Sequence, residues 1–196
     1  MKKMDHKIIG ISGISGAGKT SIVQALAKSL NAESVFWDDF DDISSGPKDY
    51  VDWYDRGKNY DEWDYKALAN VLDNLKKGSD VEHPIKQMLL KSTSCIVFDA
   101  PLGRLHTQTG CHMDFCVHLK VPLDIALARR LIRDFKVPEK SKEELLQELE
   151  LYLSHSRKLF FDEALIKSAD MIIDGMLSTE MQVRTLKQFL TQKSSS

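Results

Sequence analysis

Short apolar runs alternate along the chain with longer stretches in which apolar residues recur every three or four positions. The short runs are typical of buried strands, and the longer stretches are typical of amphipathic helices. Five strands are predicted, at residues 7–12, 34–37, 95–98, 115–119 and 171–173. The alternation therefore predicts an α/β fold with a mostly parallel sheet.

Capping residues predict where the helices begin and end. Gly78 can end a helix at its C′ position, and Pro122 fits the first turn of another. Ser141 and Glu144 have the spacing of a capping box. The Ser-rich segment 193–196 is expected to fray. The predicted helices are residues 21–30, 64–77, 122–134, 141–168 and one that starts at residue 179.

Residues 13–20 read Gly-Ile-Ser-Gly-Ala-Gly-Lys-Thr and match the phosphate-binding pattern G-x-x-x-x-G-K-[ST]. A loop that leaves a buried strand and opens a helix presents backbone N–H groups to an anion. In such loops the lysine reaches the β- and γ-phosphates and the threonine ligates Mg²⁺. We therefore expect a nucleoside triphosphate and Mg²⁺ to bind this chain. The predicted nucleotide-binding residues of the loop are Gly13, Ser15, Gly16, Ala17, Gly18, Lys19, Thr20 and Ser21.

The apolar strand at residues 95–98 ends in Asp99, which is the layout of a Walker B segment. That position would place Asp99 beside Thr20 on hydrated Mg²⁺, although a strand-terminal turn residue is the alternative. The chain has no N-K-x-D motif for guanine and no D-x-x-G segment after Asp99, and it has no ABC-type signature. A kinase or a small ATPase therefore remains.

The second strand runs into an acidic and aromatic segment that continues to residue 65. All three tryptophans and four of the five tyrosines lie in this segment. We expect most of residues 41–55 to form a solvated loop whose aromatic side chains pack on the sheet edge. Asp38 is the exception, because a carboxylate beside the P-loop strand can take the proton of an attacking hydroxyl. Flat aromatic faces nearby can hold a ring by stacking.

The P-loop is the first of five motifs in order along the chain. They are I-G-I-S-G-I-S-G-A-G-K-T at 9–20, W-D-D-F at 37–40, N-Y-D at 59–61, D-A at 99–100 and R-R-L-I-R-D at 129–134. This series resembles the uridine kinase and phosphoribulokinase-like P-loop kinases, including the nicotinamide riboside kinase branch. That family carries Q-D-[SD]-F, N-F-D, E-G and R-R-x-x-R-D at the last four places. The likeness extends from Lys7 to about Gly175.

The resemblance implies a three-layer P-loop NTPase fold of the nucleoside and nucleotide kinase type. Its mostly parallel five-stranded sheet would carry helices on both faces and a short helical lid at about residues 129–142. We expect one kinase domain over residues 1–196, with a substrate-covering segment at about residues 38–65.

The resemblance also implies an ATP-dependent kinase that transfers the γ-phosphoryl group to a hydroxyl of a nucleoside or ribosyl compound. Asp38 is the implied catalytic base, and Lys19 and Arg133 are the other predicted catalytic residues. The expected Mg²⁺ ligands are Thr20, Asp99 and Asp38. The expected substrate-binding residues are Asp39, Phe40, Tyr60 and Asp61.

Three arginines lie within residues 129–133. Arg129 and Arg133 are four positions apart, so on a helix they share a face and can clamp phosphate charge, which makes Arg129 a further nucleotide-binding candidate. Arg130 points elsewhere and is expected to pair with a carboxylate. Cations that merely complement the helix C-terminus are the alternative.

Two departures from the family leave the acceptor open. The pyrimidine-reading segment P-x-Y-D-F is replaced by residues 83–88, and the lid's R-G-R is replaced by residues 135–140, where Lys136 or Lys140 can serve instead. One alternative is therefore a kinase of a non-nucleoside alcohol such as pantothenate or a sugar. Another is a nucleotide-dependent switch or metal-insertion chaperone with slow hydrolysis.

The composition indicates which classes of molecule this chain can bind. With 27 Lys and Arg against 29 Asp and Glu, the chain has no basic field for a nucleic acid polymer or an anionic membrane, so a small molecule is expected. No signal peptide or membrane span is predicted, and three cysteines fit a reducing cytoplasm. A homo-oligomer is left open. Four residues could suggest zinc, but their spacing matches no common zinc pattern: Cys111, His112, Cys116 and His118.

Overall fold

The computed structural model describes residues 6–136 and 140–194. Its strands are β1 Lys7–Ser12, β2 Glu33–Phe36, β3 Val81–Glu82, β4 Leu89–Leu90, β5 Cys95–Asp99, β6 Phe115–Lys120 and β7 Met171–Asp174. Five of them form a parallel sheet in the order β2-β5-β1-β6-β7, and β3 and β4 pair as a separate antiparallel hairpin. The predicted mostly parallel five-stranded sheet is confirmed.

Helices connect the strands. The α-helices are α1 Lys19–Leu30, α2 Tyr50–Asp55, α3 Lys66–Lys76, α4 Thr107–Gly110, α5 Leu123–Asp134, α6 Lys142–Ser154, α7 Glu163–Ser168 and α8 Thr179–Ser194. Short 3-10 helices lie at Trp37–Ile43, Tyr60–Glu62, Gly103–Leu105 and Ser156–Phe160. No helix among the described residues combines the length and apolar character needed to cross a membrane.

The core has two halves, one on each face of the sheet. Alternation along β1 sends Ile8 into the half that contains Leu72 of α3, whereas Ile9 lies in the half that contains Leu26 of α1. A strand that is buried on both faces has to be apolar almost throughout, which explains the continuous apolar run at the start of the chain. The predicted three-layer arrangement is confirmed.

Most predicted boundaries agree with the structure. Gly78 follows α3 with φ 89°, the left-handed conformation expected at C′. Ser141 and Glu144 form the predicted capping box at the start of α6, with hydrogen bonds of 2.7 and 3.1 Å. Pro122 is the N-cap of α5 and not a residue of its first turn. Helix α8 continues to Ser194, into the segment expected to fray, and residues 195–196 lie outside the described residues.

The predicted single helix over residues 141–168 is wrong, because the α-helix ends at Ser154 and an α-helix begins again only at Glu163. A 3-10 helix at Ser156–Phe160 fills the break, and Phe161 after it is extended. Leu159, Phe160 and Phe161 all line one cavity.

Candidate active site

The P-loop follows β1 and is packed tightly on α5. Gly16 has φ 86°, and a Cβ built on it would lie 2.1 Å from the backbone oxygen of Ala126, so no larger residue fits there. Gly18, with φ 99°, is the N-cap of α1, and this helix start has neither a side-chain cap nor an acidic residue in its first turn. The first N–H groups of α1 are thus available to an anion, and the helix dipole favours one.

Asp99 ends β5 beside the P-loop. Its carboxylate is buried, and Oδ2 accepts a hydrogen bond of 3.2 Å from the Thr20 hydroxyl. Oδ1 is buried and has no hydrogen-bond partner among the described residues. Burial raises the pKa of Asp99, although the nearby Lys19 ammonium opposes this effect. A hydroxyl and a carboxylate with an unused oxygen form a donor set that suits Mg²⁺.

Magnesium is commonly held by one or two carboxylates together with substrate phosphates. The described residues contain no group of three or more His, Cys, Asp and Glu side chains arranged for a metal ion. The site therefore fits a cation shared between Thr20, Asp99 and a nucleotide rather than a cation enclosed by protein alone.

Lys19 lies at the centre of the charged groups. Its ammonium group donates a hydrogen bond of 3.4 Å to the Ile14 backbone oxygen. Burial lowers the pKa of Lys19, and the negative charges of Asp99 and Asp38 act in the opposite direction. These couplings place both predicted carboxylates within electrostatic reach of the P-loop lysine.

Asp38 is held at the cavity by the apolar residues on either side of it. Trp37 is buried against Tyr65, with ring centroids 3.8 Å apart, and Phe40 is fully buried against His83 at 4.7 Å. The 3-10 helix that follows β2 then leaves Asp38 exposed and facing the cavity. Because β2, β5 and β1 are neighbours in a parallel sheet, Asp38, Asp99 and the P-loop meet at one edge.

The cavity itself has a volume of about 590 Å³. Helix α2, the 3-10 helix Tyr60–Glu62 and the adjoining Trp63 supply an aromatic wall of this cavity. Within it, Trp53 meets Tyr60 edge-on at 5.3 Å and Trp63 at 6.1 Å, while Tyr50 lies over Trp63 at 5.4 Å. The aromatic residues that line the cavity from this side are Tyr50, Trp53, Tyr54, Tyr60 and Trp63.

The structure brings Arg129 and Arg133 together at the cavity, as their spacing predicts. Arg129 donates to the Gly175 backbone oxygen at 3.4 Å, and Arg133 donates to Asp134 at 2.7 Å. The adjacent Asp134 raises the pKa of Arg133, and the charge of Asp38 contributes to the same effect. Arg130 points elsewhere and forms an ion pair of 2.7 Å with Glu148, so the predicted carboxylate partner is confirmed.

Some predicted site residues do not line the cavity. Phe40 belongs to the core, where no substrate can reach it. Asp39 faces the β3–β4 hairpin and forms an ion pair of 2.6 Å with Lys86. Ala17 is buried, and its N–H donates to the Ile14 oxygen. Asp61 is exposed beside the aromatic wall and is not among the lining residues.

The lid prediction is only partly covered by the structure, because residues 137–139 lie outside the described residues. Lys136 is exposed, and Lys140 lies 3.8 Å from Glu144 and over the Phe135 ring. Neither lysine lines the cavity.

Sequence reasoning missed one complete wall of the cavity. Its side chains follow the break after α6, and the adjoining α7 adds one more. The signal was present in three adjacent large apolar residues followed by Asp162, a residue type that often starts a helix. Lys58, next to the aromatic wall, was also missed. The residues of the missed wall are Leu159, Phe160, Phe161 and Leu165.

This fold and cavity define a P-loop kinase. A model of the Phosphoribulokinase / Uridine kinase family matches residues 8–182. The uridine kinase of Saccharomyces cerevisiae is 26% identical over 202 residues, which cover 95% of this chain and 40% of that protein. The uridine kinase of Macrococcus caseolyticus is 27% identical over 198 residues, which cover 92% of this chain and 94% of that protein.

Solved structures share the fold at lower identity. A sugar kinase from Janibacter sp. HTCC2649 is 18% identical with a TM-score of 0.56, and the match covers 95% of each chain. Shikimate kinase from Acinetobacter baumannii is 15% identical with a TM-score of 0.52, over 95% of this chain and 94% of that one. These two likenesses concern the fold alone.

Because the family model matches most of its residues, the chain belongs to the Phosphoribulokinase / Uridine kinase family. The predicted class is confirmed: a uridine kinase-like phosphotransferase that acts on a hydroxyl group of a small molecule.

Proposed function

We propose that this protein transfers the γ-phosphoryl group of ATP to a hydroxyl group of a nucleoside or related ribosyl compound. One observation supports the proposal most directly. A single cavity is lined by the P-loop, by Asp99 from a neighbouring strand and by Asp38 after the next strand. A general base, an anion site and a cation site are thus within reach of one bound substrate pair.

In the proposed reaction, the oxygen of the acceptor hydroxyl bonds to the γ-phosphorus, and Asp38 accepts the proton of that hydroxyl. The bond from that phosphorus to the bridging oxygen breaks, and ADP leaves. Lys19 and the P-loop N–H groups hold the phosphates, and Arg129 and Arg133 neutralise charge on the transferring group. The protein contributes positioning and electrostatic stabilisation, which is the main requirement of phosphoryl transfer.

We further propose that Thr20, Asp99 and Asp38 hold Mg²⁺, directly or through its water ligands. When bound, Mg²⁺ would neutralise phosphate charge. The unpartnered oxygen of Asp99 supports this assignment, because a buried carboxylate oxygen without a partner is costly unless a cation uses it.

The acceptor is expected to lie against the aromatic wall, where Trp53, Tyr60 and Trp63 can stack on a planar ring. Asp61, at the edge of this wall, is the proposed partner of ribosyl hydroxyls. Residues 83–88 stand in the place of the family's pyrimidine-reading segment, and all of them are described, yet none lines the cavity. Uridine and cytidine are therefore expected to be poor substrates.

The proposal is tested by measuring ADP formation from ATP and Mg²⁺ over a panel of nucleosides, pantothenate and sugars. We expect ATP consumption to depend strictly on an added alcohol and to be fastest with a ribosyl compound. If only pantothenate or a sugar is phosphorylated, the kinase assignment holds and the ribosyl acceptor is wrong. Slow ATP hydrolysis that no added alcohol accelerates would instead indicate a nucleotide-dependent switch or metal-insertion chaperone.

Replacing single aspartates tests whether Asp38 is the general base. We expect Asp38→Asn to lower kcat by about 10² to 10⁴, with little change in ATP affinity. Asp42→Asn is the matched control, because Asp42 lies exposed on the same 3-10 helix and does not line the cavity. Asp39→Asn should be milder than Asp38→Asn, and a larger loss at Asp39 would place the base one residue later.

We also propose that the protein works in the cytoplasm and uses a small-molecule acceptor. Its three cysteines are free thiols, which fits a reducing compartment.

A further inference from the structure

A chain of hydrogen bonds runs from β1 to the missed wall of the cavity. The Ser12 hydroxyl lies 3.1 Å from Nδ1 of His118 and 3.3 Å from the Val117 oxygen. Nε2 of His118 lies 2.7 Å from Oδ2 of Asp162. Ser12 and His118 are completely buried, and Ser12 directly precedes the first glycine of the P-loop.

The carboxylate of Asp162 is placed for this contact rather than for helix capping. Asp162 occupies the N-cap position of α7, yet its side chain makes no capping hydrogen bond and turns to His118 instead. An N-cap hydrogen bond typically stabilises a helix by about 1 kcal/mol, so the chain forgoes a local stabilisation here. Phe161, which precedes Asp162, and Leu165, three residues after it, both line the cavity.

We propose that His118 and Asp162 are positioning residues that hold the wall formed by residues 159–165 against the cavity by joining it to β1 immediately before the P-loop. The expected effect on nucleotide binding rests on the proposed function, whereas the positioning of the wall does not. The contact joins segments 44 residues apart, and therefore constrains two parts of the cavity that no local interaction connects.

The protonation state fits this role. Burial lowers the pKa of His118; Lys19 and Lys120 act in the same direction, and Asp162 opposes them. A neutral imidazole can donate Nε2–H to Asp162, and its Nδ1 can accept the single Ser12 hydroxyl proton when that proton points to His118 and not to the Val117 oxygen. An asparagine at position 162 can still accept from Nε2–H, whereas an alanine cannot.

The test compares Asp162→Ala with Asp162→Asn in the full chain. Glu163→Ala is the control, because Glu163 is the next residue, carries the same charge and is exposed. Hydrogen exchange of peptides covering residues 156–168 reports the order of the wall. Calorimetry with Mg²⁺ and a non-hydrolysable ATP analogue reports the cavity, and urea unfolding reports global stability.

We expect Asp162→Ala to speed exchange in residues 156–168 by about tenfold, with β1 and α1 unchanged. The same variant should bind the analogue about tenfold more weakly, and Asp162→Asn should restore both properties. Unchanged exchange in Asp162→Ala, or acceleration spread evenly over the whole chain, would overturn the proposal. If the unmodified protein fails to bind the analogue, the nucleotide assignment fails, and the exchange data alone decide the positioning role.

Discussion

Replacement of Asp99 by Asn tests whether this carboxylate serves activity or stability. In the free protein, Asp99 is 6% exposed and has one hydrogen bond, from Thr20. Its other oxygen is buried without a partner, a situation that costs about 1–3 kcal/mol. Asparagine keeps the volume and the acceptor for Thr20 while removing the desolvated charge. We therefore expect the free energy of unfolding of Asp99→Asn to be unchanged or to rise by up to about 2 kcal/mol.

Activity should respond in the opposite direction. Loss of a group that supports a metal typically costs about 10- to 100-fold in metal affinity or activity, which is about 1.4–2.7 kcal/mol. The assays are urea unfolding of the free protein and a Mg²⁺ titration of ADP formation with an acceptor found in the panel. Half-saturation of Asp99→Asn should require correspondingly more Mg²⁺.

Asp114 provides the matched control for Asp99. It precedes β6 at the opposite edge of the sheet, accepts from the Ile8 N–H at 2.8 Å and lies 3.2 Å from the Lys76 ammonium group. Asp114→Asn should lower the free energy of unfolding by about 1 kcal/mol and leave the Mg²⁺ response unchanged. The reasoning is refuted if Asp99→Asn instead destabilises the protein by more than about 2 kcal/mol and titrates normally with Mg²⁺.

Three further predictions concern the P-loop, helix α5 and pH. Gly16→Ala should lower stability by about 2–4 kcal/mol in urea unfolding and weaken binding of an ATP analogue, because a left-handed φ and a backbone clash combine. Gly57→Ala, with φ 104° and open space around it, should show only the smaller strain term, and equal losses would argue against the clash. Arg133→Lys should cut kcat about tenfold or more with ATP binding little changed, because an ammonium cannot reproduce the planar contact; equal effects on both would contradict this. Burial lowers the pKa of His106, so this residue takes up a proton on unfolding as the pH falls below about 6.5, and its contribution to the decline in stability should be at most about 1.4 kcal/mol per pH unit. Urea unfolding of His106→Asn should show a smaller slope, with the exposed His155→Asn as the control, and identical slopes in both variants would refute the assignment.

Local sequence patterns were sufficient for the five strands of the parallel sheet, for most helix boundaries and for the position of the P-loop. Strand β1, the P-loop and the start of α1 follow one another without interruption, so their geometry depends on adjacent residues. The capping box at Ser141 and the left-handed Gly78 are also local features. Asp38 and Asp99 were predictable because carboxyl ends of neighbouring parallel strands meet at one edge.

The acceptor half of the site required tertiary structure. The W-D-D-F motif suggested that Asp39 and Phe40 contact a substrate, but their side chains face the hairpin and the core. Consecutive residues of a tight 3-10 turn point in different directions, about 120° apart, so a motif that places one side chain in the cavity turns its neighbours away. The sequence alone does not reveal which neighbour is turned away.

The sequence by itself determined that this protein has a phosphate-binding loop, because a P-loop between a buried strand and a helix lies within eight residues. The order of the five motifs indicated the family. Only the tertiary structure decided how the cavity is enclosed. The break after α6, the wall at residues 159–165 and the link from His118 to Asp162 depend on contacts between segments far apart in the chain. Such contacts form because side chains from distant segments become buried together, and their buried polar groups then require hydrogen-bond partners. The residues adjacent to each segment in the sequence do not specify which distant segment it will meet.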